Sequence, residues 1–162
     1  MEKLWAPWRM VYLQIEKPTG CIFCEKPGAG KDRHELVVYR GAEAVILMNL
    51  FPYNNGHLMV APFRHVPSIE ELNEAELLEL MTLTQESLAA LREAYQPEGF
   101  NLGVNQGKIA GAGVEDHVHM HVVPRWGADT NYMPVIGDTR VLPQSLDDSF
   151  DDITRAFSVA AR

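Results

Sequence analysis

An α+β fold is predicted for this chain, built on a mainly antiparallel sheet of about five strands with a long helix on one face and a C-terminal helix. Three observations carry that expectation: β-prone runs crowd the first part of the chain, one long stretch then repeats apolar residues at helical spacing, and two further strand-like runs precede a last amphipathic segment. Taken in order, Leu36–Arg40 and Ala44–Asn49 flank Gly41 as a hairpin, and His57–Ala61 follows the turn-rich Pro52-Tyr53-Asn54-Asn55-Gly56 as a third strand. Asn73, with Glu76 three residues on, signals a helix N-terminus. Leu77, Leu80, Met81, Thr84, Leu88, Leu91 and Tyr95 then recur at helical spacing until Pro97 and Gly99 stop the helix. Phe100–Asn105 and His117–Val123 read as two more strands joined by the loop Gly107–Asp116, and Ser145–Ala160 as a closing helix that turns Phe150, Ile153 and Phe157 inward.

The 162 residues are of one-domain size, with no internal repeat, low-complexity segment or long linker. Residues 1–162 are therefore expected to form a single domain, with an N-terminal loop over 1–35 and a tail carrying the closing helix over 127–162. No apolar run approaches the ~18 residues of a membrane span. The start, Met1-Glu2-Lys3-Leu4-Trp5-Ala6-Pro7-Trp8, lacks the apolar core of a secretion signal, so the cytoplasm is the expected compartment. With 22 acidic against 14 basic residues, the net charge of -8 disfavours nucleic acid as a partner, and neither nucleic acid nor membrane is expected.

The stretch His117-Val118-His119-Met120-His121-Val122-Val123 holds three of the six histidines, alternating with apolar residues. At the strand period the three imidazoles share one face, while Val118, Met120 and Val122 turn to a core. Protonating one ring of such a row raises the cost of protonating its neighbours, which keeps a neutral, nucleophilic imidazole available near pH 7. A strand His-x-His metal site is the competing reading. The two cysteines form Cys21-Ile22-Phe23-Cys24, with loop punctuation on both sides, which favours a metal knuckle over a redox pair. A tetrahedral zinc needs two further ligands, for which His65 and His117 are candidates. Gly107-Lys108-Ile109-Ala110-Gly111-Ala112-Gly113 has the glycine content that lets backbone N–H groups approach a phosphate, although a glycine-rich hairpin loop reads the same way.

The histidine row resembles the signature of the histidine triad (HIT) superfamily, nucleotidyl hydrolases and transferases acting on nucleoside phosphoesters and phosphoanhydrides. Asn49-Leu50-Phe51-Pro52, Gly56-His57-Leu58-Met59-Val60 and Asn105-Gln106-Gly107 sit where the nucleoside-binding segments of that superfamily would. Trp5-Ala6-Pro7-Trp8-Arg9, Cys21 to Cys24 and His121-Val122-Val123-Pro124-Arg125-Trp126 resemble the bacterial branch related to diadenosine tetraphosphate phosphorylases and hydrolases.

The resemblance implies a HIT-like fold in which His119 attacks the α-phosphorus and carries the nucleotidyl group until phosphate or water removes it. His117 and His121 would orient that ring and stabilise developing charge. It further implies Asn49 on a ribose hydroxyl, Asn105 on the phosphate side, Gly111, Gly113 and Val114 at the phosphate, and His57 in support behind the row. A structural zinc on Cys21, Cys24, His65 and His117 is implied too, with no organic cofactor, as is a homodimer for which the Asn73–Tyr95 helix is the candidate face. One departure stands out: better-known branches carry Gln and then Ser or Thr where this chain has Gly113 and Val114, so backbone donors or another residue must serve the scissile phosphate. Arg64, Lys108 and Arg125 are candidates to offset polyphosphate charge, at most one of Trp5, Trp8 and Trp126 is expected to stack a purine, and His34 reads as surface. Two other readings remain, a non-catalytic nucleotide- or zinc-binding interaction module and a strand His-x-His metalloenzyme.

Overall fold

The structure is a computed structural model that describes residues 20–127, 129 and 141–160. Trp5 and Trp8 lie outside the described residues. Five strands form one antiparallel sheet: β1 (Val37–Arg40), β2 (Ala44–Met48), β3 (Leu58–Pro62), β4 (Gly99–Val104) and β5 (Met120–Arg125), in the order β1-β2-β3-β5-β4. The predicted hairpin about Gly41 is present, with the Gly41 N–H donating to the Ala44 carbonyl at 2.8 Å and the Glu79 carboxylate accepting from the Ala42 and Glu43 amides. β2 and β3 are apolar and buried along their whole length, as strands covered on both faces must be.

The two faces carry different cores. On one, Val38, Ile46, Met48, Leu58, Val60, Val118 and Val122 pack against α3 (Glu74–Tyr95) and α4 (Leu146–Ala160), the latter through Phe150, Ile153, Ala156 and Phe157. On the other, Val37, Val45, Leu47, Met59 and Ala61 form a smaller cluster closed by Phe23, with Cys21, Ile22 and Val114 packed around it. Phe23 comes from α1 (Ile22–Glu25), which is followed by a 3-10 turn at Lys26–Gly28 and by α2 (Asp32–Glu35).

The N-terminus of α3 is the expected capping box: Asn73 Oδ1 accepts from the Glu76 N–H at 3.0 Å, and Glu76 Oε2 accepts from the Asn73 N–H at 2.8 Å. Its buried stripe is rotated from the expected one. Leu77 and Met81 are 37% and 48% exposed, whereas Leu80, Leu83, Thr84, Ser87, Ala90 and Leu91 face the sheet. Small residues let the helix approach closely, and the Thr84 and Ser87 hydroxyls donate to the Leu80 and Leu83 carbonyls at 2.7 Å, so their burial leaves no donor unsatisfied.

Two further expectations are corrected. The cysteine segment is not loop throughout, because the Cys24 and Glu25 N–H groups both donate to the Cys21 carbonyl at 3.0 Å and close one helical turn. The histidine strand begins at Met120 and runs to Arg125, so His117 and His119 precede it. Val104 opposite Met120 is the last rung of that ladder, and the Val118 N–H instead donates to the Val66 carbonyl at 2.7 Å. Facial alternation nonetheless persists beyond the ladder, with Val118 on the helix side and His117 and His119 on the other.

Candidate functional site

The histidines meet on the sheet face away from α3 and α4, and their hydrogen bonds settle the tautomers. A backbone N–H can only donate, so the Tyr53 N–H, 3.1 Å from His57 Nδ1, makes that nitrogen an acceptor. His57 therefore carries its proton on Nε2, which lies 3.0 Å from His121 Nδ1 and donates to it. His121 is left with its proton on Nε2. Burial first, then repulsion from His119, pushes His121 down to about 4, so this ring is neutral near pH 7.

His119 has the opposite tautomer. Its Nδ1 lies 2.9 Å from the His117 carbonyl, which can only accept, so Nδ1 carries the proton and Nε2 keeps its lone pair. Burial holds its pKa below the ordinary histidine value, partly offset by that same hydrogen bond. The ring is 4% exposed, edge-on to His121 at 4.8 Å between centroids and tilted against Phe23 at 4.6 Å. With one nitrogen anchored and the other bare, this neutral imidazole has the lone pair a nucleophile needs, beside a second ring whose Nδ1 already accepts and whose Nε2–H can donate.

His117 faces elsewhere. Its Nε2 donates to the Pro62 carbonyl at 2.8 Å, which turns Nδ1 toward Cys21 Sγ at 3.2 Å, His65 Nδ1 at 3.3 Å and Cys24 Sγ at 3.6 Å. Cys24 Sγ is 3.3 Å from His65 Nδ1, and the four ligand atoms all lie within 4.8 Å of one another. A tetrahedral zinc, with Zn–S of about 2.3 Å and Zn–N of about 2.1 Å, sets ligand-to-ligand edges of roughly 3.3–3.8 Å. The donor types and spacings fit such an ion, and the Pro62 carbonyl supplies the outer partner that orients a ligating histidine. Burial and the Cys21 thiol push the Cys24 thiol up to about 11, and a divalent cation reverses that order by favouring the thiolates.

The remaining predicted residues are placed more loosely. Asn49 follows β2 and its Oδ1 accepts from the Phe51 N–H at 2.9 Å, a local turn contact. Asn105 follows Val104, as His119 precedes Met120, where the β4–β5 ladder ends. Gly111, at φ +91°, closes the 3-10 turn Lys108–Ala110 in a conformation that side chains rarely adopt. Gly113 and Val114 continue that loop toward His117, and Val114 packs on the Phe23 cluster. His34 is on the surface, as expected, and pairs with Glu35 at 2.9 Å. Arg64 and Arg125 are corrected as charge-offsetting candidates, since Arg64 grips Glu76 at 2.7 and 2.6 Å and Arg125 bonds Asn101 at 2.7 Å and pairs with Asp129. The Pro62 carbonyl and the Tyr53 N–H were invisible to sequence reasoning because any residue supplies a backbone group. Phe23 was missed although its place between two candidate ligands was a signal.

Comparison with known proteins places this geometry. Residues 31–127 match the HIT domain family. The chain belongs to the HIT-domain family. The match takes in His57, His65 and the whole histidine row, whereas Cys21 and Cys24 precede it. An AP-4-A phosphorylase of Mycobacterium tuberculosis is 42% identical over 159 residues, covering 92% of this chain and 80% of that protein. A bis(5'-nucleosyl)-tetraphosphatase [asymmetrical] of Schizosaccharomyces pombe is 34% identical over 93 residues, covering 57% and 50% respectively. Among solved structures, a Zn-bound histidine triad family protein from Mycobacterium smegmatis superposes with a TM-score of 0.69 at 22% identity, over 86% of this chain and 94% of that one, a likeness of fold. HIT-domain membership gives the chain the general nucleotide-binding, hydrolase or nucleotidyltransferase character of the family. Among the described residues no helix is long and apolar enough to cross a membrane.

Proposed function

We propose that this HIT-domain chain cleaves dinucleoside polyphosphates of the diadenosine tetraphosphate kind by covalent nucleotidyl transfer to His119. One observation carries the reading: His119 Nδ1–H is anchored on the His117 carbonyl, so a neutral ring presents Nε2 as a nucleophile. Its attack on the α-phosphorus forms a P–N bond and expels the remaining polyphosphate nucleotide; phosphate or water then breaks the P–N bond and releases a nucleoside diphosphate or monophosphate, respectively. His121, with Nε2–H held as a donor by His57, stabilises charge that develops on the phosphoryl or leaving oxygen. Asn49 takes a ribose hydroxyl, Asn105 the phosphate side, and the backbone of Gly111, Gly113 and Val114 supplies donors that side chains at those positions cannot. Cys21, Cys24, His65 and His117 would hold a structural zinc, which would tie the N-terminal segment to the row. The 42% identity to a phosphorylase of AP-4-A supports this substrate class, and thiolate ligands suit a reducing, cytoplasmic setting.

Because His117 turns Nδ1 away to the cysteines and His121 Nδ1 accepts from His57, the three rings do not converge on a shared metal, which favours nucleotidyl transfer over a His-x-His metalloenzyme. The exposed Leu77, Leu78 and Met81 on α3 support a homodimer through that helix. The deciding experiment is rapid mixing with diadenosine tetraphosphate, non-acid quenching and peptide mass spectrometry, with and without orthophosphate. An adenylate on the 117–121 peptide, absent in His119→Ala and cleared by phosphate as ADP, is the expected result. Undiminished turnover in His119→Ala sinks the mechanism, and no adduct or product with any acceptor moves the assignment to a binding module.

A further inference from the structure

The knuckle Cys21-Ile22-Phe23-Cys24 does more than offer two thiols. α1 is a single turn, so Cys21 and Cys24, three residues apart, lie on one side of it and point to His65 and His117. Phe23 between them is directed into the protein and is fully buried. Its ring backs onto the cluster of Val37, Val45, Leu47, Met59 and Ala61 and meets the His119 ring at 4.6 Å and the His117 ring at 5.1 Å between centroids. His119 is thus bounded by Phe23, by the edge-on ring of His121 at 4.8 Å, and by a single hydrogen bond from Nδ1. One hydrogen bond leaves an imidazole free to swing about its χ2 torsion, so the aromatic contact must limit that swing.

We infer that Phe23 is a positioning residue for His119, and that the Cys21–Cys24–His65–His117 cluster acts on the nucleophile through it as well as through the chain from His117. The inference rests on the reading of His119 as nucleophile and deepens it. A cation that fixes both thiolates fixes the turn between them, and Phe23 is rigidly part of that turn. Releasing the cation frees the turn to move, which withdraws the aromatic wall from His119 without touching any group that contacts substrate. Phe23 takes no part in bond making, so its effect is on the fraction of time that Nε2 is aimed at phosphorus.

The test uses zinc-loaded wild type beside Phe23→Leu, which keeps most of the apolar volume and all four ligands, with Phe23→Ala as the larger perturbation. Zinc content, the imidazole 15N signals of His119 and the kinetic constants on diadenosine tetraphosphate are read on each protein. The expected result is wild-type zinc content in Phe23→Leu, kcat lowered about tenfold with KM within about twofold, and a single sharp His119 Nδ1–H signal replaced by a broadened or doubled one. Stripping zinc from wild type should reproduce that spectral change, and stripping Phe23→Leu should add less than it does in wild type, leaving only the route through His117. An unaltered His119 signal with unchanged kcat in Phe23→Leu overturns the inference. Loss of zinc from Phe23→Leu also overturns it, by making Phe23 a builder of the knuckle alone, and so does a His119 signal indifferent to zinc in wild type. The failure of the underlying reading is separate: it appears as full turnover in His119→Asn, whatever the spectra show.

Discussion

The two faces of the sheet are built on opposite principles. Against α3 and α4 the sheet buries aliphatic and aromatic side chains, and the Thr84 and Ser87 hydroxyls buried among them donate within their own helix. On the other face a smaller apolar cluster surrounds a line of imidazoles, each held by one or two directed hydrogen bonds. The helix face tolerates small shifts because apolar burial is non-directional, whereas the histidine face works only while particular nitrogens carry particular protons. Stability and chemistry are thereby divided between sides of the same strands, with Val118 and Val122 serving one while His117, His119 and His121 serve the other.

Substitutions on each face should separate these roles, and His119→Asn is the most severe for chemistry. Its turnover on diadenosine tetraphosphate should fall by on the order of 10³ or more while the unfolding midpoint and nucleotide binding stay near wild type. Leu91→Ala, at a fully buried site on α3, should do the reverse: about 3 kcal/mol lost in denaturant unfolding, with kcat preserved while the protein remains folded. His57→Leu removes the donor to His121 Nδ1 and frees that ring to change tautomer, so kcat should drop about tenfold, with partial recovery in His57→Gln, whose amide can donate.

The pH dependence sharpens the contrast. Burial depresses the pKa of His119 and of His121 in the folded chain, the latter to about 4, against about 6.5 when unfolded. Below pH ~6.5 the unfolded chain takes up protons that the folded chain refuses, so this face should lose stability progressively as pH falls from there toward 4. On the helix side, Arg64 holds the Glu76 carboxyl below its usual range. Its contribution is full above the unfolded glutamate value of about 4.3 and is lost only as pH falls through the lower folded value. Unfolding midpoints measured from pH 7 to 4 should therefore decline early for wild type and less early for His121→Asn. Glu76→Ala should cost about 1–2 kcal/mol through the lost capping box together with the lost Arg64 pair, with turnover intact.

What the chain reveals without its fold is whatever has a local period or a local partner. The capping box at Asn73 and Glu76, the hairpin about Gly41, the inward residues of α4 and the alternating histidine row are each decided within a few residues, and each is readable in order. Even there the limits of local reading show: Leu77 and Met81 match the helical period as well as Leu83 and Ser87 do, and only the close approach of α3 to the sheet selects between those stripes. The histidine row points to imidazole chemistry, but not to which ring keeps a bare nitrogen, because a tautomer is set by whichever group lies opposite each nitrogen. Those groups are the His117 carbonyl, the Pro62 carbonyl and the Tyr53 amide relayed through His57, and the last two belong to segments distant in sequence. The same holds for the cluster of Cys21, Cys24, His65 and His117, whose two histidines stand 41 to 96 residues along the chain from the cysteine pair. Ligand type was written in the sequence; convergence within 4.8 Å, and the placing of Phe23 between that cluster and His119, came only when the sheet brought β3, the residues before β5 and the N-terminal turn together.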